Sequence, residues 1–474
     1  MRIDWHRQHR WSSLTVSFFL VMFCVSGILL NHRELLRDYE IDRSLLPPFY
    51  RYDAWNGGLM RGTVILSDGE RVAIYGSGGI FLTDTTGSTF ADYNRGLPLP
   101  AHYRNIRAMA VTADSTLYAL STTGLYRQVQ PETAWHSVDV PTAGDETFSD
   151  MIACGDSLIV LTRSRVYVSA AAGEPFEAIT LAPSAGKMPG ETLFRRIWDF
   201  HSGQIFGAAG ILAADLIAIT IIFLCVSGIA IWLMKRSKTR RLHRTLRFSI
   251  KSHRAIGLWS LIFVALICVS GWCLRPPVLM ALVSTETDAP KRSNPWDDRL
   301  RMIRYDSHSQ SWLLSTSHGF YRLDSLRGIP KRMDSQPPVS VMGLTVFEPS
   351  GPGVWLCGSF SGAYLWDTMS GTVTDRFSGK PVSPDPGPPF GKTPVAGYTR
   401  HLSDAPVLVT YDHGTDIIPM PDHLRTLPMP LWNVALEIHS GRIYFGNTAT
   451  YFFVFLIGLP VFWCLLSGYR ISRR

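Results

Sequence analysis

Four of the 14 histidines in this chain recur in matched positions. His9 opens the run His-Arg-Trp-Ser-Ser-Leu-Thr-Val-Ser-Phe-Phe-Leu-Val-Met-Phe-Cys-Val-Ser-Gly. His253 opens His-Arg-Ala-Ile-Gly-Leu-Trp-Ser-Leu-Ile-Phe-Val-Ala-Leu-Ile-Cys-Val-Ser-Gly, with the same spacing to its Ser-Gly pair. His201-Ser202-Gly203 and His439-Ser440-Gly441 each precede another long apolar run. Neutral imidazole is a good ligand for haem iron, and two imidazoles on opposite faces make a six-coordinate, electron-transferring centre. Helical bundles build such centres from side chains on facing helices. If the halves pack about a pseudo-twofold axis, His9 with His253 would hold one haem and His201 with His439 a second. Two cofactors at two depths would form an electron path across a membrane.

Blander readings exist for each residue alone. A histidine beside arginine at a membrane edge, as in His9-Arg10 and His253-Arg254, also anchors lipid headgroups. The same arginine would suit a haem propionate. Each His-Ser-Gly could begin a helix with serine as its cap. The duplication favours the ligand reading, because lipid anchors could equally be Lys, Arg or Trp. His6, His32 and His243 also lie near membrane edges and stand as alternates to the four. Asp215 is an acid in or at the edge of a span, which suggests a proton or hydrogen-bonding site. The seven remaining histidines read as solvated or turn residues.

Four stretches, about 11–30, 206–234, 255–274 and 448–469, are apolar enough to cross a bilayer. A crossing needs about 20 residues for roughly 30 Å of hydrocarbon. If the second and fourth helices run unbroken, His201 and His439 lie more than two turns beyond the hydrocarbon, so their cofactor would sit at the membrane surface. The net charge of +8 is unevenly spread. Fifteen of the 46 basic residues, but only Asp4 among the 38 acids, lie before the first span, between 235 and 254, or after the last span. This basic excess places both termini and the 235–254 loop in the cytoplasm and is no sign of nucleic acid. The remainder would then be periplasmic in a Gram-negative cell. The first span resembles a signal peptide, but its apolar region is long and lacks a small-x-small site, so it reads as an uncleaved anchor. The expected order is helix one over 1–31, β domain over 32–200, helix two over 201–234, basic loop over 235–254, helix three over 255–275, β domain over 276–430 and helix four over 431–474.

Ser-Gly occurs in all four spans, at Ser26-Gly27, Ser227-Gly228, Ser270-Gly271 and Ser467-Gly468. Small residues let helices approach closely, and they also leave room for a flat macrocycle. Cys24, Cys225, Cys268, Cys273 and Cys464 lie in or beside the spans as small apolar residues. No Cys-x-x-Cys-His occurs, which excludes covalent c-type haem.

The two external segments carry a repeat of their own. Tyr75-Gly-Ser-Gly-Gly-Ile-Phe81, Leu120-Ser-Thr-Thr-Gly-Leu-Tyr126, Leu161-Thr-Arg-Ser-Arg-Val-Tyr167, Leu314-Ser-Thr-Ser-His-Gly-Phe-Tyr321 and Cys357-Gly-Ser-Phe-Ser-Gly-Ala-Tyr364 each follow a short β-prone run. A period of about 40–45 residues with short strands marks propeller blades. A weaker sixth copy spans 406–419. The expected fold is therefore a membrane protein: a four-helix transmembrane bundle from two duplicated hairpins, plus a β-rich, propeller-like periplasmic domain of about six blades. One propeller or two smaller sheet domains would both suit the pattern. The proline-rich 381–394 stretch reads as a loop.

The order His-Arg-x(15)-Ser-Gly, then His-Ser-Gly-x(2,3)-Phe-Gly, resembles the PepSY-associated transmembrane helix family over the four spans and their flanks. The resemblance implies an inner-membrane ferric-siderophore reductase that binds b-type haem, two in number on the pairing above, and reduces iron in the periplasm. It puts His9, His201, His253 and His439 at the family's histidine positions. The substrate would be a ferric siderophore or another iron chelate, haem included. The departure lies outside the membrane, where the family usually carries PepSY modules and this chain reads as blades. Iron reduction is chemically apt, since hard oxygen donors hold Fe(III) far better than Fe(II). The cytoplasmic segments are too short for a flavin or nicotinamide domain and lack Gly-x-Gly-x-x-Gly. Electrons would come from a membrane quinol or a separate reductase. The competing readings are a non-redox, membrane-anchored propeller that binds an iron carrier or protein partner and, less favoured, a permease.

Overall fold

The long apolar runs form helices in the computed structural model, which describes residues 4–128, 134–144, 146–171, 175–186, 189–237, 242–287, 293–340, 342–382 and 391–473. The chain divides into a helical unit, Met1–Tyr39, Gly190–Pro290 and Pro430–Arg474, and a β-rich unit, Glu40–Pro189 and Lys291–Met429.

The helical unit contains α1 (Trp5–Asn31), α2 (Leu193–His201), α3 (Gly207–Arg236), α4 (Leu242–Cys273), α5 (Val278–Ser284), α6 (Leu431–Ser440) and α7 (Arg442–Ser472). Four of these elements contain stretches long and apolar enough to cross a membrane. Helix α1 packs on α3 and α7, and α4 packs on the same two, which closes a four-helix bundle. Its centre holds Cys24, Ile221, Cys225 and Val264, with Leu20, Cys268 and Leu465 against them. The opposite faces expose Phe18, Leu212, Ile262 and Leu456. Such outward apolar surface suits helices solvated by lipid.

The second and fourth helices do not run unbroken, which corrects one sequence expectation. Each His-Ser-Gly ends a short helix rather than beginning a long one. Gly203 and Gly441 take the left-handed conformation, φ 81° and 80°, that terminates helices. A few residues on, Gly207 (φ 60°, ψ −146°) and Gly446 (φ 68°, ψ −168°) take a second conformation that is essentially restricted to glycine. The repeated Phe-Gly thus marks a second bend. Helices α2 and α6 are thereby detached from the long helices that follow, and they pack on α4 and α1 respectively.

Among the described residues of the β-rich unit, six small antiparallel sheets of repeating form span 62–92, 106–138, 148–179, 300–332, 344–375 and 395–410. Five have four strands joined in chain order, and the sixth has two. The sequence repeat corresponds to the turn between second and third strands. Phe81, Tyr126, Tyr167, Tyr321 and Tyr364 pair with Ile74, Ala119, Val160, Leu314 and Cys357, always the residue seven positions earlier. Each sheet contacts the next through its first strand, and the sixth contacts the first. Tyr398 N donates to Arg61 O at 3.0 Å, and the Thr63 and Thr399 hydroxyls lie 2.8 Å apart across that last seam.

A buried ion pair ties the third sheet to the fourth. Arg304 Nη1 is 2.6 Å from Asp150 Oδ2, which also accepts from Ile303 N at 2.9 Å. Arg304 Nε reaches on to Phe347 O of the fifth sheet at 2.8 Å. Removing one partner strands a buried charge, a loss of about 3–5 kcal/mol, while exposed pairs contribute about 0–1 kcal/mol. Asp150→Ala should therefore destabilise the unit severely and Asp324→Ala, whose Lys331 pair is exposed, barely at all. Denaturant unfolding of the full chain in detergent measures both.

Candidate functional site

Asp4 caps α1 through a hydrogen bond from Arg7 N to its carboxylate, so His9 lies early in a well-started helix. His9 Nδ1 is 3.1 Å from Cys464 O and 3.1 Å from Ser467 Oγ, both on α7. A Cβ placed on the adjacent Gly468 would lie 3.2 Å from His9 Cε1. The other three histidines repeat this arrangement. His253 Nδ1 is 2.8 Å from Ser227 Oγ, and its Cε1 would lie 3.5 Å from a Cβ placed on Gly228. His201 Nδ1 is 3.0 Å from Ser270 Oγ, and its Cε1 would meet a Cβ on Gly271 at 2.7 Å. His439 Nδ1 lies 2.9 Å from Phe23 O and 3.2 Å from Ser26 Oγ, with Gly27 beside its Cε1.

Every Ser-Gly pair thus receives one imidazole. Serine supplies a polar contact, and glycine leaves the space the ring occupies. The direction of the proton follows from the partners. Each serine hydroxyl donates back to a carbonyl of its own helix: Met22 O, Leu224 O, Ile267 O and Trp463 O. Its oxygen therefore accepts from the imidazole. The carbonyls of Cys464 and Phe23 can only accept as well. The carbonyls fix the proton on Nδ1 of His9 and His439, and the serine geometry supports the same tautomer at His201 and His253, which leaves Nε2 its lone pair, the state required of a metal ligand.

The four rings meet in twos. The His9 and His253 centroids are 6.4 Å apart with planes at 73°, and those of His201 and His439 are 6.1 Å apart at 50°. The pairing is the one expected from the duplication. Along α1, 18 residues separate His9 from Gly27, where His439 rests, or about 27 Å at 1.5 Å per residue. The same count along α4 separates His253 from Gly271, where His201 rests. His6 and His243 are exposed and join neither pair. His32 instead meets Asp215: Nε2 lies 2.7 Å from Oδ2, and Asn31 Nδ2 donates to Oδ1 at 3.0 Å. Arg254 is engaged with Ser472 O, and Arg10 lies over the Trp11 ring.

The sequence reading of Ser-Gly as a site of helix approach left out the imidazole seats. Four Ser-Gly pairs beside four histidines were the available signal. The cross-over was harder to read, since His9 seats on the last helix and His439 on the first.

Duplicated helices, seated imidazoles and a β-rich unit inserted in two parts define a multi-pass membrane protein built by internal repetition. The PepSY-associated TM region matches residues 6–474, so the match extends through the β-rich unit, and the chain belongs to that family. No curated protein matches it. Solved structures give shallow likenesses. A domain described as the extracellular part of a hybrid two-component system from B. thetaiotaomicron is 12% identical with a TM-score of 0.38, covering 75% of this chain and 32% of that one. The chain thus spans about a third of that relative's length. The Cps50 (Swd1) β-propeller domain of Myceliophteria thermophila is 9% identical with a TM-score of 0.35, covering 74% and 93%. YCF48 from Cyanidioschyzon merolae is 10% identical with a TM-score of 0.30, covering 70% and 89%.

The seats differ in tightness, and substitution should read this out. Gly271→Ala forces the His201 ring to move, since the new Cβ would meet it at 2.7 Å, whereas Gly228→Ala creates only ordinary contact with His253 at 3.5 Å. Overpacking of this kind costs about 1–3 kcal/mol. Thermal unfolding should show a clear loss for Gly271→Ala and little for Gly228→Ala.

Proposed function

We propose that this protein is a haem-containing transmembrane reductase of the bacterial inner membrane, passing electrons to ferric chelates, ferric siderophores or haem, in the periplasm for iron acquisition. One observation carries the reading: four imidazoles with Nδ1 engaged and Nε2 available approach each other in two pairs. Two metal–imidazole bonds of about 2 Å, with about 1 Å more to each ring centre, put the centroids of a bis-imidazole site roughly 6 Å apart. The separations of 6.4 and 6.1 Å fit that requirement. His9 and His253 would hold one b-type haem, and His201 and His439 a second.

When bound, haem supplies a one-electron Fe(III)/Fe(II) couple. The chain's own residues do the rest. Ser467, Ser227, Ser270 and Ser26 fix ring orientation and raise the basicity of Nε2, as outer-shell acceptors do for ligating histidines. Cys24, Ile221, Cys225 and Val264 keep the bundle centre apolar and exclude water. Basic residues at both termini and over 235–254, where α3 ends and α4 begins, support a cytoplasmic location for the His9 side. On that orientation the His201–His439 pair lies toward the periplasm. Helices α2 and α6 pack against α4 and α1, which supports a position of this pair among the helices. Electrons would enter from a quinol or a separate reductase. The six sheets, each touching the next and the last touching the first, support a six-bladed propeller that receives the chelate or a carrier.

Protein purified from haem-replete cells should carry about two haems per chain, with a Soret band that shifts on dithionite addition. His9→Ala and His253→Ala should each abolish one haem, and the double variant should lose no more. His201→Ala and His439→Ala should do the same for the other. Folded protein without haem from such cells would sink the proposal and leave a non-redox, membrane-anchored propeller.

A further inference from the structure

Asp215 and His32 belong to neither histidine pair, yet they hydrogen-bond to each other inside the helical unit. Asp215 lies within α3 and is 7% exposed. Both its oxygens are engaged from the end of α1, Oδ2 by His32 Nε2 at 2.7 Å and Oδ1 by Asn31 Nδ2 at 3.0 Å. A carboxylate only accepts, so Nε2 of His32 carries a proton and Nδ1 presents a lone pair. Among the described residues Nδ1 has no hydrogen-bond partner, and the side chain is 42% exposed. A buried carboxylate behind a partly exposed imidazole is the arrangement of a general base, in which the acid orients the ring and stabilises its cation. A tether between α1 and α3 would need no ionisable group in an apolar helix, where such groups are expensive.

His32 follows Gly27, the seat of His439, by five residues, or about 7.5 Å along the helix. An electron added at the His201–His439 pair introduces negative charge where the dielectric is low, and it favours a cation nearby. We propose that His32 and Asp215 form the proton-exchange site of that pair, an inference that rests on the haem reading of the four histidines. As an electron arrives from the His9–His253 side, His32 Nδ1 binds one proton from the adjoining water. As the electron leaves for the ferric chelate, reducing Fe(III) to Fe(II), the proton departs to a released chelate oxygen or to water. One electron and one proton enter and leave together, so the net charge at this end of the bundle is unchanged. The other charged groups here are Arg33 over the Trp432 ring, the Glu34–Arg37 and Glu437–Arg442 pairs, and Arg275 beyond α4. None of them hydrogen-bonds to His32 or Asp215 among the described residues.

The test is a spectroelectrochemical titration of the haem-loaded full chain in detergent between about pH 5.5 and 8.5, the range in which imidazole exchanges protons. One midpoint should be flat. The other should fall as pH rises, by at most about 59 mV per tenfold change in proton concentration. His32→Gln, at the exposed end of α1, and Asp215→Asn should each flatten that second midpoint while both haems remain bound. Two flat midpoints in the unsubstituted protein, or either variant keeping the original slope, would overturn the inference and leave the haem reading intact. A chain that binds no haem overturns both.

Discussion

The hydrogen bond from an imidazole Nδ1–H to a serine oxygen or helix carbonyl sets the chemistry of the whole helical unit. It occurs four times, at His9, His201, His253 and His439, and each time it turns the same nitrogen away. A backbone carbonyl and a serine that has already donated its own proton accept from the ring without competing for Nε2. Glycine next to the serine removes the side chain that would otherwise occupy the ring's place. The Ser-Gly dipeptide is thus a seat with one polar wall and one open wall. Two seats on each of two sides of the bundle hold two pairs of rings at about the separation a shared metal would require.

Much of this could be read along the chain, because duplication is visible without coordinates. Matched runs beginning at His9 and His253 predicted which residues would face each other, and those rings do meet. The blade-like repeat was equally legible: Phe81, Tyr126, Tyr167, Tyr321 and Tyr364 all occupy one strand position with one register. The bends were not foreseen. His-Ser-Gly contains both a helix-starting residue and a helix-ending one, and a linear reading cannot weigh them. The left-handed backbone at Gly203 and Gly441 decides in favour of ending. Likewise the sequence marks Asp215 as a proton or hydrogen-bonding site without showing its partners, because Asn31 and His32 come from the far end of another helix.

The β-rich unit solves a different problem with the same economy of repetition. Five of its six sheets bury an aromatic at the same place, and charged side chains bridge some of the seams. Arg304 is the clearest case, since it contacts Asp150 of the sheet before and Phe347 O of the sheet after its own. Its guanidinium has more donors than one carboxylate can use, so a single buried residue can fasten three sheets.

The seating pattern also has a consequence for biosynthesis. His253 and His201 find their seats on α3 and α4, so that module is complete once the chain has been made through Gly271. His9 of α1 seats on α7, and His439 of α6 seats on α1, so both seats join the first helix to the last part of the chain. His9 on α1 therefore stays unseated until Ser467 on α7 has been made. The middle of the protein seats its own two histidines, and the outer helices complete the bundle core and both ring pairs.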